Sequence, residues 1–190
     1  MFNLVIFGSP GAGKGTQSDK IIEKYNLKHL STGDMFREHI KNKTPLGLEV
    51  QSILDNGILV PDDITIRMLE DEMVKHTDVN GFILDGFPRT IAQAEALDAF
   101  FANKGEAVNL VVQLDVSEEE VKNRIAERAK TSGRADDSQE KLIKRIDEYF
   151  HKTIHVLPYY QGQSKLKVIN GIGNIDTIFN HICAEIDAVI

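Results

Sequence analysis

The tightest constraint on this chain lies in its first two dozen residues. Phe2-Asn3-Leu4-Val5-Ile6-Phe7 is a short, nearly unbroken apolar run, and Gln17 to Tyr25 has the spacing of a helix. Between them stands Gly8-Ser9-Pro10-Gly11-Ala12-Gly13-Lys14-Gly15-Thr16. A buried parallel strand, a glycine-rich turn and a helix N-terminus together make an anion cradle. Glycines let the backbone curl so that N–H groups point inward. The helix start adds the positive end of its dipole. The Gly8 to Gly13-Lys14 spacing is that of a phosphate-binding loop, with Lys14 reaching the distal phosphates. One position departs from the common pattern: Gly15 follows Lys14 where Ser or Thr is usual, and a hydroxyl arrives only at Thr16.

A nucleotide-phosphate cradle needs a sheet to stand on, and 190 residues suffice for one domain with small inserted arms. A net charge of −7 argues against general binding to nucleic acid or an anionic membrane surface. The lone cysteine, Cys183, leaves no intramolecular disulfide and no cysteine-based zinc site; among Ile178, Phe179, Ile182 and Ile186 it reads as a buried structural thiol. Without a basic leader or a long apolar stretch, the expected setting is the cytoplasm.

The arginines say more than the totals. There are seven, against fifteen lysines: Arg37, Arg67, Arg89, Arg124, Arg128, Arg134 and Arg145. Several sit beside glycine, proline or aspartate rather than on evenly charged helical faces. Arginine offers a planar fork that grips phosphate in a way lysine cannot copy. Arg67 alone lies in a plain helical pattern and reads as surface charge.

In chain order, a second strand is expected at Lys28–Ser31. The turn Ser31-Thr32-Gly33-Asp34 then opens a helix carrying Arg37. Lys41 to Pro61 reads as helix, turn, helix, turn: a helical arm punctuated by Pro45, Gly47, Gly57 and Pro61. Asp62 and Asp63 open a helix to about His76, their charge suiting its dipole. Gly81 to Gly86 is a buried strand ending in Asp85, followed by Phe87-Pro88-Arg89-Thr90 and a helix from Ile91 to about Ala102 with Gln93 in its first turn. A carboxylate at such a strand end can hold Mg²⁺ or its waters, and α/β sheets bind ligands off these carboxyl ends. Val108–Val116 is a fourth strand. Ser117 and Glu120 form a capping box for a helix bearing Arg124 and Arg128 at i, i+4. A polar loop with Gly133, Arg134, Asp136 and Asp137 leads to a helix expected from Ser138 to about Gln163, with Arg145 on it. Leu166–Asn170 is the fifth strand, and a final helix follows the turn at Gly171-Ile172-Gly173.

Taken in register, these stretches resemble the adenylate kinases among the P-loop nucleoside monophosphate kinases, over essentially the whole chain. The loop from Gly8 to Thr16, glycine after lysine included, is similar to the family's own variant. Ser31 to Asp34 with Arg37, Asp85 to Arg89 with Gln93, and Gly133 to Asp137 with Arg145 match in order. The resemblance implies an α/β P-loop NTPase three-layer fold with a five-stranded parallel sheet. It also implies a helical NMP-binding arm over about 31–60 and a short lid loop over about 127–137, within one domain spanning 1–190.

It further implies transfer of the terminal phosphoryl group of ATP to AMP, giving two ADP. Gly11, Ala12, Gly13, Lys14, Gly15 and Thr16 would hold the donor phosphates. Arg124 would stack on the ATP adenine beside the backbone at Gly173. Thr32 and Arg37 would bind AMP, whose adenine would meet Ile58, Leu59, Val60 and Gln93. Gly86, Phe87, Pro88 and Arg89 would hold the AMP phosphate. Lys14, Arg89, Arg128, Arg134 and Arg145 would gather around the transferring group, Arg128 also touching ATP and Arg134 and Arg145 also AMP. Asp85 would position waters on Mg²⁺, and Asp136 and Asp137 would orient the lid arginines.

Two departures stand out. Many bacterial relatives carry a longer lid, sometimes with four zinc-binding cysteines; here the region is short and without cysteine, so no zinc is expected. Gly171-Ile172-Gly173 lacks the polar side chains often found there, which leaves donor contacts to the backbone. The expected partners are ATP, AMP and ADP, not nucleic acid or membrane, and the expected state is a monomer. UMP/CMP kinase and GTP-dependent AMP kinase stay open as alternatives, as does a nucleotide-binding regulatory module. Thr32 and the Thr90–Gln93 stretch favour AMP, and the full set of cations favours turnover over mere binding.

Overall fold

The computed structural model describes residues 1–56, 58–129 and 139–190, and for Arg128, Ala129 and Gln139 the backbone alone. Five parallel strands form one sheet in the order β2-β3-β1-β4-β5, where β1 is Phe2–Phe7, β2 Lys28–Ser31, β3 Gly81–Asp85, β4 Leu110–Asp115 and β5 Leu166–Asn170. The apolar run that opens the chain is therefore the central strand. It pairs with β3 on one side (Ile6 opposite Asp85) and with β4 on the other (Phe7 opposite Gln113). The chain runs from β1 out to the edge strand β2 on one side, returns to β3, and then crosses β1 to β4 and β5 on the other; such a switch point opens a crevice at the strands' carboxyl ends.

Strand alternation explains the three layers. Leu4 and Ile6 face one cluster and Val5 and Phe7 the other, all of them 3% exposed or less. The first cluster packs against α1 (Lys14–Tyr25), α6 (Glu118–Ala129), α7 (Gln139–His151) and α9 (Ile175–Asp187) through Ile21, Ile125, Ile146 and Ile182. The second packs against α4 (Asp62–Met73), α5 (Ile91–Ala102) and α8 (Leu157–Gly162) through Leu69, Leu97 and Tyr160. Cys183 is free and buried in α9.

Between β2 and α4 the chain forms α2 (Thr32–Lys41) and α3 (Pro45–Asp55). These pack against the start of α4 around a small third cluster, Phe36, Val50, Val60 and Met68, the last of which lies on α4 itself. Ser31 caps α2 by accepting from the Asp34 N–H at 3.3 Å, and Thr44 caps α3 with Pro45 at its first position.

Two local expectations need correcting. The helix expected to run unbroken to Gln163 ends at His151, passes through a 3-10 turn at Thr153–Val156 and restarts as α8 at Leu157. Pro158 accounts for the restart: it lacks an N–H and its ring would clash with the preceding turn, so it suits only the opening of a helix; the helix before it has already ended, the backbone turning at Lys152 (φ −127°, ψ −60°). The capping box at the start of α6 is half formed. Ser117 Oγ accepts from the Glu120 N–H at 3.3 Å, but the Glu120 carboxylate accepts from Arg124 Nε at 2.7 Å, a stronger charge-assisted bond. Among the described residues no helix is long and apolar enough to cross a membrane.

Candidate active site

The loop between β1 and α1 is built for an anion. Gly11 and Gly13 have φ of +86° and +98°, the left-handed region, which turns successive N–H groups to one side. Gly13 is the N-cap of α1, and no side chain caps that helix end. Gly15 and Thr16 in its first turn are exposed. The first-turn N–H groups thus open onto the cleft, an arrangement suited to an anion such as phosphate. Lys14 Nζ folds back over the loop, donating to the Gly8 carbonyl at 2.8 Å and the Ser9 carbonyl at 3.3 Å. It lies 4.0 Å from Asp85 Oδ1.

Asp85 ends β3, beside β1, so its carboxylate and the loop face the same crevice. Burial by itself would raise its pKa. Lys14, with His29 and Arg89 after it, outweighs that and holds the carboxyl below its ordinary value. His29 Nε2 stands 3.7 Å from Asp85 Oδ2, diagonally across from β2.

Gly86 makes the next turn. Its φ is +76°, and a Cβ there would fall 2.9 Å from Thr32 Oγ1 and 3.0 Å from Arg89 Nη2. Its carbonyl accepts from Thr32 Oγ1 at 2.9 Å and from Arg89 Nε at 2.7 Å. One carbonyl thereby ties the start of α2 to Arg89. Burial lowers the Arg89 guanidinium to about 10, with nearby Arg145 and Arg37 acting in the same direction and Asp85 and Glu148 opposing. It stays cationic at neutral pH. Positive groups held this close on one wall are poised for an anion.

These groups line a single cleft of about 640 Å³, reached from the loop (Gly11, Lys14, Thr16), the end of β3 (Asp85 to Arg89), α2 (Arg37) and α6 and α7 (Arg124, Arg145). That volume lies in the usual ligand-site range. Arg37 is paired with Asp34. Arg124 bridges three elements, with Nε on Glu120, Nη1 3.3 Å from the Ala12 carbonyl and Nη2 3.0 Å from the Gly171 carbonyl. Guanidinium N–H groups lie in one plane, so these bonds engage its edge rather than its faces.

Other sequence-read residues stand outside the walls of this cleft: Ile58, Leu59, Val60, Gln93 and Gly173 do not line it. Ile58 is exposed and Val60 buried. Gln93 is buried too, its carboxamide held by Asp62 and by the Arg89 N–H. Thr32 is buried with its hydroxyl on Gly86. Arg134, Asp136 and Asp137, with the side chain of Arg128, lie outside the described residues.

Three groups at or beside the site were not singled out in the sequence for a site role. His29 stands on β2 facing Asp85, a position that strand alternation from Ser31 could have flagged. Glu148 lines the cleft from α7 with its Oε2 buried and without a hydrogen bond. Asp62, read only as a helix-dipole partner, joins Gln93 and Thr90 across the chain, which no local signal announces.

Comparison with known proteins follows the same lines. The family described as adenylate kinase matches residues 6–165. The chain is 49% identical over 188 residues to an adenylate kinase of Flavobacterium johnsoniae, covering 98% of this chain and 99% of that one. It is 45% identical over 189 residues to one of Bacteroides fragilis, covering all of both. An adenylate kinase of Phenylobacterium zucineum is 45% identical over 188 residues, 99% of this chain and 97% of the relative. Fold, loop and near-full-length similarity agree: this chain belongs to the adenylate kinase family.

Proposed function

We propose that the chain transfers the terminal phosphoryl group of ATP to AMP, reversibly and with Mg²⁺, forming two ADP and so balancing the cell's adenine nucleotides. The observation that carries this is the cleft itself. A donor cradle at Gly11–Thr16 faces a second phosphate-binding group, Arg89, hydrogen-bonded in place 2.7 Å from the Gly86 carbonyl. A protein that only bound one nucleotide would have no use for two facing cation sets.

The chemistry asks for positioning and charge rather than covalent help. An ionised oxygen of the AMP phosphate attacks the γ-phosphorus. A new P–O bond forms as the β–γ bridge breaks, and ADP leaves with the bridging electron pair. No general base is required, because the nucleophile already carries its charge. Lys14 and the loop N–H groups hold the donor; Arg89 and Arg37 hold the acceptor; Arg145, with Arg128 and Arg134, neutralises charge spread over the transferring group. The donor set at Asp85, one ionised carboxylate beside the phosphate loop, fits Mg²⁺ held mostly by phosphate and water, with Asp85 on the waters. The ion, when bound, neutralises phosphate charge. Arg124, bonded in its plane, presents a face to the ATP adenine.

Water is the rival acceptor, so the site closes before transfer; adenylate kinases are a standard instance of lid closure. The arm around α2 and α3, which packs on α4 through Phe36, Val50 and Met68, is one moving unit in this reading, and its closure brings Ile58 to Val60 toward the acceptor base. Arm opening then limits turnover. A single-turnover transfer rate no faster than steady state counts against that. The reading as a whole is tested by ADP formation from ATP with AMP, UMP, CMP or GMP as acceptor, repeated with GTP as donor. AMP with ATP is expected to dominate; a better rate with UMP, CMP or GTP, or no turnover at all, overturns it.

A further inference from the structure

We propose that Asp62 is a specificity-determining positioning residue, which fixes the orientation of the Gln93 carboxamide so that it accepts adenine and refuses bases with the reversed edge. The proposal rests on the reading of Gln93 as the group that meets the AMP base.

Gln93 is 2% exposed and its amide is held at both ends. Its Oε1 accepts from the Arg89 backbone N–H at 2.7 Å, and its Nε2 donates to Asp62 Oδ1 at 2.7 Å. The orientation is settled by chemistry: a backbone N–H can only donate and a carboxylate can only accept, so the amide has one permitted flip. Asp62 is itself anchored. Thr90 Oγ1 donates to Asp62 Oδ2 at 2.8 Å while accepting from the Gln93 N–H at 3.1 Å, so the carboxylate is tied to the residue that caps α5 and loses that bond if it swings away.

Each end of the carboxamide keeps one unused valence: a second lone pair on Oε1 and a second hydrogen on Nε2. A base edge that meets both must offer a donor to the oxygen and an acceptor to the nitrogen. Adenine does so with its 6-amino group and N1. Hypoxanthine, identical in size, offers the 6-oxo acceptor and the N1–H donor, the reverse pattern; guanine and uracil reverse it too. Against the fixed carboxamide those bases set acceptor to acceptor and donor to donor, and unpaired buried groups are what sites discriminate by. Cytosine shares adenine's pattern, so this device does not tell the two apart.

The test compares kcat/KM for AMP with that for inosine monophosphate, ATP being the donor, in the parent and in D62N, D62A and Q93A. A ratio of two acceptors on one preparation does not depend on the folded fraction. D62N keeps the shape, but its amide can donate as well as accept, so only the Arg89 N–H still opposes the flip. D62A removes the acceptor altogether. Both are expected to lower the AMP-to-IMP ratio by about tenfold or more, the scale of one hydrogen bond to a charged group. If Asp62 merely braced the start of α4, both acceptors would lose rate together and the ratio would hold, which overturns the proposal. Q93A separates the failures. A ratio that falls in Q93A but not in D62N or D62A refutes the role of Asp62 alone. A ratio that also holds in Q93A refutes the contact between Gln93 and the base. A parent that makes no ADP from AMP refutes the reading beneath both.

Discussion

Replacing Gly86 with alanine should separate the acceptor half of this site from the donor half. The backbone there has φ +76°, and the added Cβ would sit 2.9 Å from Thr32 Oγ1 and 3.0 Å from Arg89 Nη2. A left-handed L-residue costs about 1–2 kcal/mol. In a chain this long that lowers the melting temperature by about 2–8 °C, at roughly 2–4 °C per kcal/mol. The functional loss should be larger. The same methyl presses on the two side chains that hydrogen-bond to the Gly86 carbonyl, so Arg89 must shift off its 2.7 Å anchor. A displacement of about 1 Å in a positioning group costs on the order of 10²-fold in rate; the side-chain ends crowded here need give only a fraction of that distance, so 10²-fold is the ceiling of the expected loss. Steady-state ADP formation and a thermal melt on the same preparation measure both effects. KM for AMP should rise more than KM for ATP, since the donor loop lies on the other wall. A G86A enzyme with near-parental kcat/KM, or one in which only the ATP KM rises, would refute the idea that Gly86 holds Arg89 for the acceptor.

Three further outcomes follow from the same geometry. Lys14→Met should lower kcat/KM by about 10²–10³-fold in the same assay, as loss of one preorganised charge contact does, and should raise the Asp85 pKa because its leading positive neighbour is gone, a shift readable by carboxyl NMR. Arg124→Ala, which loses its bonds to Ala12, Gly171 and Glu120, should raise KM for ATP while leaving KM for AMP nearly in place; equal rises in both would contradict a donor-base role. Asp85 has a folded pKa below its ordinary 3.8, so the stability it adds is present above that value and is lost as pH falls through the lowered one. Denaturant melts of D85N against the parent should therefore converge as pH drops below 3.8; a gap that widens there would reverse the sign of the argument.

Much of the site was legible because its parts are local. The strand, loop and helix from Phe2 to Tyr25 announce a phosphate cradle through spacing alone, since glycine conformations and a helix start are properties of consecutive residues. Arg37, Arg89, Arg124 and Arg145 stood out by composition and setting, and all four line the cleft. Where sequence reading slipped, the competitor was itself local and had been given too little weight. Glu120 left the capping box because Arg124, four residues on, offered a charged partner, and the helix expected through Gln163 restarts at Leu157, where Pro158 can occupy only a first turn.

What the sequence determined by itself is that this chain binds nucleotide phosphate on a parallel sheet, with cations enough for a second nucleotide. Only the tertiary structure decided how those residues act together. Asp62 and Gln93 stand 31 residues apart and meet through a 2.7 Å bond; Thr32 and Arg89 share one carbonyl at Gly86; the Asp85 pKa is held down by Lys14, which comes from the loop after β1. Helices and turns follow from neighbours along the chain. Hydrogen bonds between helix starts and strand ends depend on how the sheet brings those ends to one edge, and no run of consecutive residues encodes that.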